Sequence, residues 1–164
     1  MAIVEDYEFH PLNMIEDPDD YRPDSKLAIV IDPGDTENGY VDQMSVFTEK
    51  IGIGDAIPFH LHHIEEIMQI QKGSVEVRLG NQRKKVSEGA VVFIPAGVPH
   101  GIRNTGADVA RIFAVFPSRE IDIRYLERNP APGTEDDEPA PPISIDVREF
   151  LTGDPEKAIR PYIE

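Results

Sequence analysis

Apolar residues recur along the middle of this chain in runs of four to eight, separated by Gly and Pro. Between about residues 40 and 118 the runs are VDQMSVFTEKI, FHLHH, EEIMQIQ, SVEVRLG, AVVFIP, HGIRN and VARIFAVF. Their length, alternation and β-branched content predict strands, with tight turns at Gly73-Ser74, Gly80-Asn81 and Gly89. Strands spaced 8 to 12 residues apart predict an all-β sandwich or barrel. The flanks read differently. Residues 1–39 hold Pro11, Pro18, Pro23 and Pro33 among many acids, with one short apolar piece, Lys26 to Ile31, and predict an extended arm with a single strand. Residues 119–164 form a C-terminal extension. Within it Asn129 to Pro142, NPAPGTEDDEPAPP, has five prolines and four consecutive acids and predicts an extended, mobile linker. Asp154-Pro155-Glu156 then predicts a helix start, with Asp as N-cap and Pro at the first helical position.

At 164 residues the chain is most simply one domain with a real core, and no internal repeat suggests a duplicated barrel. Net charge is −15. Residues 1–54 carry 3 basic against 13 acidic side chains, residues 55–120 carry 8 against 7, and residues 121–164 carry 5 against 11. Solvated acidic flanks therefore surround a nearly neutral centre. A surface this acidic disfavours nucleic acid and anionic membrane as partners. No apolar run is long enough to span a bilayer, the first residues do not resemble a secretory signal, and there is no cysteine, so a cytoplasmic protein is expected.

Residues 54–66, GDAIPFHLHHIEE, gather three of the five histidines and two glutamates. His60 and His62 stand two apart, so in a strand both rings project from one face. Glu66 follows at the start of the next strand, and His100 arrives from a distant turn, Pro95-Ala96-Gly97-Val98-Pro99. Three imidazoles and a carboxylate suit Fe(II), Mn(II), Ni(II), Cu(II) or Zn(II). Alternation turns His63 and Glu65 outward, away from such a centre. An isolated His10 reads as ordinary surface or hydrogen-bonded histidine.

Two stretches carry a family resemblance. Gly54-x5-His60-x-His62-x3-Glu66-x6-Gly73 resembles the first motif of the cupin superfamily at every spacing, and Gly89-x5-Pro95-x-Gly97-x2-His100-x3-Asn104 resembles the second. The resemblance implies a double-stranded β-helix, a small jelly-roll barrel over residues 40–118, with His60, His62, Glu66 and His100 as ligands of one divalent transition metal per chain, Fe(II) favoured. It also implies pairing of two copies through their sheets, hence a homodimer.

Four protein ligands on a six-coordinate metal leave two adjacent positions for a substrate, or for substrate and O2. Met68, Ile70, Phe47 and Phe113 are the candidate pocket side chains, with Ile51, Val92, Ile94, Ile102 and Val115 as further inward candidates. This lining is apolar and supplies no second acid or base beyond Glu66. Arg78, Arg103 and Arg111 are expected to point outward into the acidic arms. The favoured expectation is a metal-dependent oxygenase of the dioxygenase type acting on a small, largely apolar phenolic or carbonyl substrate, with Glu66 doubling as proton acceptor. A non-redox isomerase, lyase or cyclase and a non-catalytic ligand-binding barrel are the alternatives.

Overall fold

A computed structural model of the chain describes residues 2–12, 17–34 and 39–163. Thirteen strands and two short helices occur among them. They are β1 (His10–Pro11), β2 (Lys26–Val30), β3 (Ser45–Ile51), β4 (Ala56–Leu61), β5 (Glu66–Lys72), β6 (Ser74–Leu79), β7 (Gln82–Ser87), β8 (Val91–Ile94), β9 (His100–Asn104), β10 (Ala110–Phe116), β11 (Glu120–Tyr125), β12 (Ile143–Asp146), α1 (Val147–Thr152), α2 (Pro155–Ala158) and β13 (Ile159–Pro161). They form two antiparallel sheets, ordered β1-β2-β3-β10-β5-β8 and β13-β12-β11-β4-β9-β6-β7. From β3 to β6 and again from β7 to β11 consecutive strands alternate between the sheets, which is the jelly-roll solution to burying two inner faces without long exposed edges.

The alternation in sequence is the burial pattern in space. In β5, Glu66, Met68 and Ile70 are buried while Ile67 and Gln69 are exposed. In β10 the inward set is Ile112, Ala114 and Phe116, which pair across the sheet with Ile70 and Met68 on one side and with Glu49 and Phe47 on the other. Phe113 and Val115 therefore face outward, and their expected place in the pocket is corrected. The run ARIFAVF is apolar at nearly every position, so its sequence did not fix its phase. Ile70 is fully buried but packs in the core rather than lining the cavity described below.

Two glycines of the motif act through the backbone. Gly54 and Gly73 have φ of +81° and +87°, a region L-residues avoid, and a Cβ on Gly73 would sit 3.1 Å from Ala110 Cα. The turn that carries the chain from β5 to β6 in the other sheet can thus pass tightly over the start of β10. Asn104, the last residue of the second motif, is 2% exposed and ties three backbone groups: its amide donates to Ile51 O and Asp108 O, and its carbonyl accepts from Gly106 N.

Both flanks are built into the sheets. β1 and β2 extend one sheet beyond β3, and β12 and β13 extend the other beyond β11. Residues 19–21 run beside Asn129, with Tyr21 N donating to Asn129 O at 2.7 Å and Asn129 N donating to Asp19 O at 2.7 Å. Residues 129–142 contain turns closed by Thr134 N to Ala131 O and Asp137 N to Thr134 O, and Ala140 N donates to Asp19 Oδ2 at 2.9 Å. The linker is therefore tied down at defined points along its length. Its prolines remove few useful donors, and the buried Asp19 carboxylate gathers Arg128 and Ala140 against the barrel. Arg78 pairs with Glu127 of the extension at 2.5 Å, Arg111 donates to Tyr7 in the arm at 2.9 Å, and Arg103 donates to Gly54 O.

Asp146 begins α1 by accepting from the backbone N–H of Arg148 and Glu149 and holds Arg119 at 2.8 Å. Replacing it with Ala removes a cap and the more buried of two carboxylates, Asp146 and Asp42, that hold that guanidinium. Asp146→Ala is expected to lower unfolding stability by about 1–2 kcal/mol, measurable by urea titration. Asp154 caps α2 by accepting from Glu156 N, with Pro155 in the first turn, as the sequence predicts. Among the described residues no helix is long and apolar enough to cross a membrane.

Candidate metal centre

His60 lies on β4 and is the direct cross-strand partner of His100 on β9, so both side chains leave the same face. His62 follows two residues after His60. Glu66 opens β5 in the opposite sheet. The centre therefore spans the two sheets, and one candidate ligand atom from each of the four residues lies within 4.8 Å of the others. All four residues are buried, at 5%, 6%, 4% and 1% exposed in chain order, so water does little to stabilise their polar atoms.

Each imidazole is turned by a backbone carbonyl. His60 Nδ1 lies 2.7 Å from Pro58 O, His62 Nδ1 contacts Asp122 O, and His100 Nδ1 lies 3.0 Å from Val98 O. A carbonyl oxygen only accepts, so each Nδ1 carries the proton and each Nε2 presents a lone pair inward. The consequence is an electrostatic conflict among like groups. His60 Nε2 and His62 Nε2 stand 3.2 Å apart with no proton between them, and Glu66 Oε2 lies 2.9 Å from His100 Nε2 and 3.6 Å from His62 Nε2. Glu66 Oε2 and His100 Nε2 are buried without a hydrogen-bond partner. Three lone pairs and a carboxylate oxygen converging in a dry site fit a divalent cation at their centre. Burial pushes the His60 imidazole well below its usual pKa, with His100 and His62 adding to the effect, and burial likewise lowers His62 against the opposing pull of Glu66. Both rings are thus neutral at pH 7, the form a metal needs.

His63 and Glu65 lie outside this centre. His63 is held by Asp122, with Nδ1 to Oδ2 at 2.7 Å, and stacks on Tyr162 with ring centroids 4.6 Å apart. Asp122 accordingly links the two neighbours: its backbone carbonyl orients His62 while its carboxylate holds His63.

A cavity of about 370 Å³ opens onto His60, His62 and Glu66. Met68 and Phe47 line it, along with Ile57, Ile112, Ala114 and Phe116. The roof comes from the flanks: Leu12 and Leu27 on one side, and Pro141, Pro142, Ile143, Ile145 and Ile159 on the other. One wall is polar, which the sequence reading missed. Arg22 is 4% exposed and binds Asp20 through two contacts of 2.7 Å and Glu49 at 2.5 Å. Tyr125 donates its hydroxyl to Asp17 at 2.6 Å. Burial raises the carboxyl pKa of both Asp17 and Glu49, with Tyr125 and Arg22 respectively opposing it, and burial together with Asp20 and Asp17 holds the Tyr125 phenol well above its usual value. Glu49 was legible, since the alternation that turns Phe47 and Ile51 inward turns Glu49 inward too. Asp17 and Arg22 carry no such signal, because the arm has no periodicity.

Comparison with known proteins agrees with this architecture. Residues 47–116 match the cupin domain family. The barrel is a cupin. Among solved structures, the polyketide cyclase RemF from Streptomyces resistomycificus superposes with a TM-score of 0.58 at 18% identity, covering 96% of this chain and 98% of that one. An RmlC-like cupin from Shewanella frigidimarina gives 0.53 at 17% identity, covering 72% and 90%, and KdgF from a Halomonas species gives 0.50 at 22%, covering 64% and 89%. A curated relative, the uncharacterized protein YrkC of Bacillus subtilis, is 24% identical over 74 residues. That match spans 41% of this chain and 40% of the relative.

Proposed function

We propose that this cupin is a metal-dependent enzyme acting by non-redox chemistry, of the cyclase, lyase or isomerase kind, on a small, largely apolar phenolic or carbonyl substrate. The observation that carries the reading is the placement of the buried His60–His62–Glu66–His100 cluster at the wall of a roofed, largely apolar cavity. Bound there, a divalent metal would act as a Lewis acid toward a substrate oxygen. The chain's own residues do the rest. Phe47, Met68, Ile112 and Phe116 exclude water and hold a flat apolar body, while the carbonyl-anchored imidazoles keep the ligand geometry fixed before substrate arrives. The likeness to a polyketide cyclase supports non-redox chemistry, because it extends over the arm and the C-terminal strands that roof the cavity.

An oxygenase is the second reading, supported by the donor set of three imidazoles and one carboxylate, which would also suit Fe(II). Turnover of a panel of phenols, β-diketones and aryl ketones by protein loaded with Zn(II), Mn(II) or Fe(II), in air and without oxygen, separates the two. Turnover that survives removal of oxygen is the expected result. Substrate-dependent oxygen uptake would establish the oxygenase instead, and a protein that binds neither metal nor any of these compounds would sink both.

A further inference from the structure

We infer that Tyr125, backed by Asp17, is a proton-transferring pair for the substrate in this cavity, an inference that rests on the metal-dependent reading above. Tyr125 is the direct cross-strand partner of His60 in the β11–β4 pair, so both side chains leave the same face of the sheet. Their rings are 6.1 Å apart, centroid to centroid. Tyr125 and Asp17 both line the cavity that His60, His62 and Glu66 also border. The 2.6 Å hydrogen bond fixes the direction of the pair, with the phenol donating and the carboxylate accepting. That leaves the lone pairs of Tyr125 Oη available to a group in the cavity.

The step balances without any further reactant. Tyr125 Oη takes a proton from the carbon next to a substrate carbonyl. The C–H electron pair stays with the substrate as an enolate whose oxygen faces the His/Glu cluster. In the same movement the Tyr125 hydroxyl proton passes to Asp17 Oδ2, leaving Tyr125 neutral and Asp17 protonated. Reversal delivers the proton to the same carbon or to another one, which is the elementary event of an isomerisation, an elimination or an aldol-type ring closure. Tyr125 is the catalytic residue in this scheme, and Asp17, acting through it, is the positioning residue. The pair joins the N-terminal arm to the barrel, so the arm completes the active site as well as extending a sheet.

The test uses the full chain loaded with zinc and 2′-hydroxyacetophenone, a probe with a chelating phenol and ketone and an exchangeable methyl group. Exchange of that methyl into D2O is followed by proton NMR, and probe affinity by calorimetry. Wild-type protein is expected to accelerate exchange over free zinc. Tyr125→Phe and Asp17→Asn are expected to slow the protein-catalysed exchange at least tenfold, within the range of about 100- to 10,000-fold that general acid–base groups contribute. Zinc content should stay at one per chain, and probe affinity should stay within about threefold. Asp17→Glu, which keeps the carboxylate, should restore part of the rate, which a merely structural tether between arm and barrel would not require. Exchange unchanged in both variants, or absent in zinc-loaded wild type that binds the probe, would overturn the relay while leaving the metal reading intact. Wild type that takes up no zinc would overturn both.

Discussion

Apo protein titrated with Zn(II) to about a hundredfold excess over its dissociation constant should gain about 2.7 kcal/mol of stability, and His60→Ala should lose nearly all of that gain. For a domain of this size the gain corresponds to a rise in melting temperature of about 5–10 °C. The effect is expected because binding removes an unfavourable feature of the empty fold, the 3.2 Å approach of two Nε2 lone pairs beside a buried carboxylate oxygen without a partner. The same argument gives a sign for the variant without metal. Apo His60→Ala removes one of the opposed lone pairs, so its melting temperature should fall less than a buried His→Ala change elsewhere would cause. Differential scanning calorimetry of the two proteins, with and without zinc, measures all four quantities. A wild-type melting temperature indifferent to every divalent metal would contradict the reading of the cluster.

Arg22→Ala is expected to be the most damaging substitution outside the metal centre, at about 3–5 kcal/mol. It leaves Asp20 and Glu49 buried at 7% and 9% exposure with no cation between them, where the arm segment before β2 meets Glu49 of β3. The pH dependence distinguishes this cause from simple loss of packing. Burial raises the Glu49 carboxyl above its ordinary value of 4.5, and Arg22 opposes the rise. Without Arg22 the folded-state value moves higher still, so the folded chain binds a proton that the unfolded chain has released. The contribution of Glu49 to the variant's stability should therefore be fully present below about pH 4.5 and be lost as the pH rises through the folded-state value. Urea unfolding at pH 5 and pH 8 should show a larger deficit at pH 8. Arg22→Met, which fills much of the space, should keep the same pH trend, because the trend belongs to the carboxylates.

The barrel and its His/Glu cluster were legible because their information is local and periodic. Alternation set the inward face of β5, and spacings of two and then four residues placed His62 after His60 and Glu66 after His62. The strongly polar His60 and His62 could not have shared a face with Leu61. The cavity was less legible for two physical reasons. Uniformly apolar strands such as β10 have no polar positions to reveal their phase, so Phe113 was read inward while Ile112, Ala114 and Phe116 occupy that face. The polar wall and the roof are assembled from opposite ends of the chain. Asp17 meets Tyr125 across 108 positions, and Asp19 meets Ala140 across 121. Such contacts depend on where the arm and the extension come to lie, and composition alone marked both as solvated acid. The acidity of the arm is partly internal: Asp19 and Asp20 are buried and paired with Arg128 and Arg22.

Metal content is the most direct check on the centre. Protein purified without a metal-affinity step and analysed by inductively coupled plasma mass spectrometry should carry close to one divalent transition metal per chain, or take up one after dialysis against Zn(II) or Mn(II). His60→Ala and His100→Ala should carry almost none. A wild-type chain that remains metal-free under both treatments, or variants that retain full occupancy, would contradict a metal centre at these four residues.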